Sequence, residues 1–232
     1  MNLFIEGILK AIEMILSGDR EIFKITYTTL QVCLTAIFIS TLIGIPFGVF
    51  LGLNSFPGKK IVLVFVNIGM GLPPVVAGLY ITMLLWRSGP LGHLGLLYTT
   101  HAIVIAQVLV SLPIIIGLTS AAFQQMDSKM LMQIKALGAT RFQKVGLLLR
   151  ETKLAIMAAI MAGLGRVLAE VGAAMMVGGN IKGDTRILTT SMVMEVSQGN
   201  FDVAIALSFI LMTLAFIITF ILTSLQQRKQ LV

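Results

Sequence analysis

The 232 residues have a mean hydropathy of +0.97, with 57% hydrophobic and only 12% charged residues. Soluble domains carry about 25% charged residues, so much of this surface must face lipid, and no large soluble module fits. The net charge of +7 would suit nucleic acid, but its placement ties it to membrane topology, and the lone Cys33 excludes an intrachain disulfide.

In chain order, residues 1–17 place Leu3, Phe4, Ile8, Ile12, Ile15 and Leu16 at helical spacing, with Glu6, Lys10 and Glu13 between them. That pattern predicts an amphipathic helix lying in the interface, with a short sixth span as the alternative. These charges, and the lack of a basic leader, speak against a cleaved signal peptide. Five segments are long enough to cross about 30 Å of hydrocarbon, at 25–51, 61–86, 101–123, 154–178 and 203–225.

Basic residues divide unevenly between the connections. The 54–60 loop, the 124–153 loop and the C-terminal tail hold ten Lys and Arg, with Asp127 and Glu151 as their only acids. The opposite side holds six basic and seven acidic residues. The basic side is expected to be cytoplasmic, which puts the N-terminus outside and the C-terminus inside. Nucleic acid has no place in this account.

The spans are heavily punctuated. Gly44, Gly48 and Gly52 form a small-residue stripe that admits a close neighbour helix, and Pro46 within it should bend the helix. Pro73 and Pro74 sit mid-span in "NIGMGLPPVVAGLY", where the helix must break or kink and freed carbonyls need partners. Pro113 follows in the third span. Irregular backbone at this depth survives only against protein or a water-filled cavity, so these positions either line a passage or serve helix packing.

Residues 124–153 form the longest loop on the basic side. Asp127 or Ser128 can cap a short helix. Met130, Leu131, Ile134 and Leu137 give it an apolar stripe, and Gly138 suits the position past its end. Thr140 and Gln143 fit a capping box opening a second helix. The stripe either lies on lipid or docks into a groove on a soluble partner.

The segment "GLGRVLAEVGAAMMVGGNIKGDTRILTT", from Gly163 to Thr190, puts Arg166 and Glu170 inside an otherwise nearly uncharged span. A charge at the bilayer centre costs about 2.5–3.5 kcal/mol on insertion scales. One helical turn apart, the two can neutralise each other as a buried pair, or Arg166 can meet a transported anion. Asn180, Thr185 and Arg186 in the loop beyond offer amide, hydroxyl and guanidinium groups. They could receive a tetrahedral oxyanion, which only accepts hydrogen bonds when fully ionised, or dock an external protein.

Two stretches carry a family resemblance. The loop core "KALGATRF", with Lys135, Ala136, Leu137, Gly138 and Ala139, is similar to the cytoplasmic motif of permease subunits of ATP-binding-cassette importers. It departs from the usual Glu-Ala-Ala at Met132, Gln133 and Ile134, and from the usual Leu-Pro at Arg150 and Glu151. The pattern of Arg166, Glu170, Gly172, Ala173, Gly179, Asn180, Ile181, Thr185 and Arg186 resembles the molybdate/tungstate permeases, closest to the tungstate branch, as does "GLPPVVAGLY". The resemblance implies an all-α type I importer permease, a single transmembrane domain over 1–232 in a prokaryotic cytoplasmic membrane. It also implies an external substrate-binding protein and a cytoplasmic ATPase dimer, which would hold ATP and magnesium. A second copy of the chain is expected, because five spans enclose too little for a gated path.

No nucleotide site is expected on this chain. "NSFPGKK" lacks the earlier glycine of a P-loop and the Ser or Thr after its Gly-Lys. His93 and His101 have no acidic or thiol neighbours at metal spacing, so no metal is expected. No catalytic cluster appears, which weakens a membrane enzyme. The expected function is ATP-driven uptake of tungstate. Molybdate or sulfate is the alternative substrate, and a channel or secondary transporter the alternative class.

Overall fold

A computed structural model describes residues 2–138 and 140–227. Among them are eleven α-helices and no strand. In order these are α1 Asn2–Leu16, α2 Arg20–Leu53, α3 Lys59–Met70, α4 Pro74–Leu85, α5 Thr100–Gln124, α6 Ser128–Ala136, α7 Arg141–Glu151, α8 Lys153–Leu168, α9 Gly172–Gly178, α10 Leu188–Ser197 and α11 Phe201–Gln227. Three helices, α2, α5 and α11, are long and apolar enough to cross a membrane alone. The pair α3–α4, bent by 102°, and the pair α8–α9, bent by 59°, complete up to five spans.

The packing centre is the contact between α2 and α5. Gly44 faces Ile115, Gly48 faces Thr119 and Gly52 faces Phe123, so the two helices run parallel, in register, with their backbones close. Lipid tails are as apolar as the side chains, so close van der Waals approach replaces the hydrophobic drive. Ser40 and Ser111 meet across the contact with hydroxyls 2.7 Å apart. Ser111 already donates to the Gln107 carbonyl, so its one hydrogen is committed and Ser40 is the donor between them. Neither Pro46 nor Pro113 interrupts its helix. A Cβ on Gly69 would lie 2.8 Å from Pro113 Cγ, so that ring serves helix packing between α3 and α5.

Contacts at the bundle ends fix the relative topology. The ends of α2 and α5 meet at Gly52 and Phe123, Lys59 Nζ donates to the Asn54 carbonyl at 2.9 Å, and Gln226 donates to the Leu154 carbonyl at 3.1 Å. Helices α2, α5 and α11 therefore run one way, and α3–α4 and α8–α9 return. At the other end, α1 packs on α11. Gly7 lies against Ile205 and Ala11 is buried, while Lys10 pairs with Asp202 at 2.9 Å. At 15 residues, α1 is about 22 Å long, short of a 30 Å core. Its Ile8, Ile12, Ile15 and Leu16 stay exposed. The side chains of Leu3, Phe4 and Glu6 lie outside the described residues.

A bulky residue on the glycine stripe should force α2 from α5. A Cβ at Gly48 would sit 2.7 Å from Thr119 Cβ and 2.9 Å from the Ile116 carbonyl oxygen. Gly48→Leu should cost about 1–3 kcal/mol by overpacking, read as a lower melting temperature of the purified protein. Gly146→Leu, where a Cβ meets nothing within 4 Å, should melt close to the parent.

Candidate functional site

The break between α3 and α4 follows from its two prolines. Neither supplies an N–H, and Pro74 opens α4 at a first-turn position where none is needed. Pro73 is extended (φ −61°, ψ 126°), and Val76 N–H goes to the Pro73 carbonyl. The Leu72 carbonyl is thereby left outside both helices. Arg166 Nη2, from α8, donates to it at 3.2 Å.

The break between α8 and α9 is built on a carboxylate. Helix α8 ends at Leu168, Val171 takes φ −122° and ψ −53°, and α9 starts at Gly172. Glu170 is buried, and its Oε1 accepts from Ala173 N–H at 2.7 Å in the first turn of α9. An acid there satisfies a free donor and faces the positive end of the helix dipole. The Glu170 carbonyl accepts from Thr189 Oγ1 at 2.9 Å, which ties α10 to the same point.

Arg166 and Glu170 are therefore not a pair on one helix. No ion pair joins them among the described residues, because the helix ends between them and removes the one-turn register. Each instead serves backbone at a break. The two breaks are also adjacent in space. A Cβ on Gly172 would lie 3.6 Å from Val75 Cβ, and one on Gly78 would lie 2.7 Å from Ala173 Cα. The Pro73–Pro74 break and the Arg166–Glu170 break, more than 90 positions apart in the chain, thus converge on one locus, where Glu170 is buried, Pro74 and Arg166 are partly buried and Pro73 is exposed. Arg166 is partly buried, and its Nε is buried without a partner.

The loop on the far side of α5 has the expected helix–turn–helix form. Gly138 is left-handed at φ +71°. Thr140 N–H donates to Gln143 Oε1 at 2.9 Å, and Gln143 N–H donates to Thr140 Oγ1 at 3.3 Å. The apolar stripe is divided, however. Ile134 is buried, and it packs with Met130 among Val49, Phe123, Leu148 and Ile156. These two anchor α6 to its own bundle, Ile134 buried and Met130 partly so. Met132 and Leu137 are the exposed apolar residues, Leu137 at 86%. Ala136 is exposed beside them. A groove of about 620 Å³ runs past Leu137, Gly138, Gln143, Gly146, Leu147 and Arg150. Ala139 and the side chains of Leu131 and Lys135 lie outside the described residues.

The 179–187 loop differs from expectation in a similar way. Thr185 is buried, donates to the Gly178 carbonyl and accepts from Ile181 N–H at 3.0 Å, so it holds the loop closed. Asn180 is left-handed at φ +50°, with its Oδ1 buried. Arg186 Nη1 pairs with Glu21 Oε1 at 3.3 Å, and Lys182 Nζ with Glu21 Oε2 at 2.6 Å. The three residues do not form one free donor set. Glu21 was not legible as the partner of Arg186, since it lies 165 residues away. No cluster of three or more potential metal ligands occurs among the described residues.

Up to five spans, two of them broken at a shared point beside a cation, fit a membrane translocation component. The chain belongs to the family of binding-protein-dependent transport system inner membrane components, whose profile matches residues 44–230. It is 37% identical over 227 residues to a tungstate uptake system permease protein, TupB, of Peptoclostridium acidaminophilum, covering 98% of this chain and all of that one. It is 34% identical to the TupB of Campylobacter jejuni, covering 98% of this chain and 95% of the other. A sulfate transport system permease protein, CysT, of Salmonella typhimurium is 23% identical over 85% of this chain and 76% of its own. Among solved structures, an inward-facing MetNI methionine ABC transporter shares the fold with a TM-score of 0.71 at 20% identity, covering 87% of this chain and 93% of that chain. The protein is thus a multi-pass permease of the cytoplasmic membrane and a translocation subunit, with the ATPase on a separate subunit.

The separate duties of Arg166 and Glu170 have a measurable consequence. Glu170→Gln keeps an acceptor for Ala173 N–H and should melt near the parent. Glu170→Leu strands that donor and should cost about 1–3 kcal/mol, as should Arg166→Met through the Leu72 carbonyl. Combining Arg166→Met with Glu170→Gln should not restore stability. Recovery of the 3–5 kcal/mol scale of a severed buried ion pair would show that the two residues pair after all.

Proposed function

We propose that this permease takes up tungstate, and that Arg166, at the meeting of the two broken spans, is the group that receives the anion inside the membrane. The supporting observation is the position of Arg166. It lies between two helix breaks, is engaged through one Nη only, and has a buried Nε without a partner. A dianion that accepts hydrogen bonds suits a guanidinium in a low-dielectric interior. Two relatives at 37% and 34% identity are named tungstate uptake permeases, and the sulfate permeases stand at 23–26%, which favours tungstate over sulfate.

In this reading two copies of the chain enclose the path, an external binding protein delivers the anion, and a cytoplasmic ATPase pair carrying ATP and magnesium drives alternating access. The 124–153 loop is the coupling element, with Met132, Ala136, Leu137 and the groove behind Gly138 as its docking face. The N-terminus is outside and the C-terminus inside. The breaks at Pro73–Pro74 and Glu170 act as hinges, since short half-helices can tilt without unmaking a long one.

The complex reconstituted in vesicles with its ATPase and binding protein should accumulate tungstate only with ATP. Arg166→Met that assembles and binds the ATPase should lose uptake at least tenfold. Uptake without ATP would favour a channel or secondary transporter, and full uptake by that variant would remove Arg166 from the path. Gly138→Val should uncouple ATP hydrolysis from uptake, because a β-branched residue resists a φ of +71°. Unchanged coupling would remove the docking role. In a Cys33→Ser background, cysteines at Lys59 and Lys144 should label from the cytoplasm and one at Lys182 from outside. The opposite pattern would reverse the orientation.

A further inference from the structure

We infer that the cavity between the start of α2 and the 179–187 loop is a second binding site for a tetrahedral oxyanion group, with Glu21 as its internal counter-ion. The cavity is about 230 Å³ and is lined by Arg20, Lys24, Lys182 and Arg186 together with Glu21 and Asp184. The lining carries a net charge of +2, which matches a doubly ionised oxyanion. At about 30 Å³ per water, it admits such an anion with part of its hydration shell.

The cations are not equally committed. Lys182 and Arg186 share the Glu21 carboxylate, at 2.6 and 3.3 Å. Arg186 is held deep, with its side chain 11% exposed, and its Nε is buried with no partner. Arg20 and Lys24 enter no ion pair among the described residues. Lys24 reaches the loop itself, since a Cβ on Gly183 would lie 3.8 Å from its Nζ. An entering oxyanion finds two uncommitted cations, Arg20 and Lys24, at the rim. It needs no displacement of Glu21 to make charge-assisted hydrogen bonds. Glu21 keeps Lys182 and Arg186 from repelling each other and fixes the loop over α2. A positive concavity of this kind also raises the local concentration of an anion before it enters the bundle.

The inference rests on the oxyanion reading above and adds a stop that precedes Arg166. The same chemistry would hold the phosphate of a lipid headgroup, so the test separates the two sources. The permease–ATPase complex, without binding protein, is placed in nanodiscs of zwitterionic lipid and titrated with tungstate by calorimetry. The variant carrying Arg20→Gln and Lys24→Gln should bind at least tenfold more weakly, and Glu21→Gln several-fold more tightly. In nanodiscs containing phosphatidylglycerol, native mass spectrometry reports retained anionic lipid. Loss of that lipid in the double variant, with no tungstate heat in either protein, would assign the site to headgroup phosphate. Equal tungstate affinity and equal lipid retention in parent and variants would overturn it. A parent complex that accumulates tungstate in vesicles while giving that last result loses this site and keeps the transport function. A complex that binds here but never accumulates tungstate loses the transport reading and keeps the site.

Discussion

In hydrocarbon every backbone N–H and C=O must find its partner inside the protein, because water is not there to supply one. An uninterrupted helix meets that demand by itself. A broken one cannot, and this chain breaks two of its spans. Each break is tolerable only because a charged side chain from the fourth span serves it. Arg166 takes the carbonyl of Leu72, and Glu170 takes the first-turn donor of α9. The glycines at 78 and 172 then let the two short half-helices touch backbone to backbone. Removing either side chain leaves a backbone polar group without its partner, and a Cβ on either glycine meets the facing half-helix.

The same demand divides the bundle into long unbroken helices and short half-helices. Helices α2 and α5 carry their own ladders through Pro46 and Pro113 and are locked by three glycine contacts and the Ser40–Ser111 bond. They form the frame. The half-helices α4 and α9 are 12 and 7 residues long and pack on each other and on α2 and α5 through Val32, Ala102, Ile103 and Ala106. Under the proposed oxyanion import, motion at the coupling loop has a direct route to them. Helix α6 is anchored through Ile134 and Met130 to the ends of α2 and α5, and α7 continues into α8, whose last turn bears Arg166.

Much of this was legible in the sequence for physical reasons. Five apolar runs set the spans, the double proline set the first break, and Gly138 with Thr140 and Gln143 set the turn and capping box of the loop. What was not legible depended on distant partners. The spacing of Arg166 and Glu170 suits a helix pair, and nothing local shows that the helix stops at Leu168. There is no proline there, and the break is made by contacts to Leu72 and Thr189 far along the chain. The loop stripe misled in the opposite sense. Helical periodicity gives an apolar face, but not whether that face looks inward, and Ile134 is taken by the protein's own core. Arg186 read as a free donor because Glu21 is brought to it only by the fold.

The two broken spans meet at one point, between Val75 and Gly172, and a cross-link there reports the meeting. With Val75→Cys and Gly172→Cys in a Cys33→Ser background, the two Cβ atoms would lie 3.6 Å apart, within the range of about 3.5–4.5 Å for a disulfide. Mild oxidation in native membranes should join them within one chain, seen as loss of maleimide labelling that a reductant restores. Full labelling of both cysteines after oxidation would place the breaks apart and contradict the account.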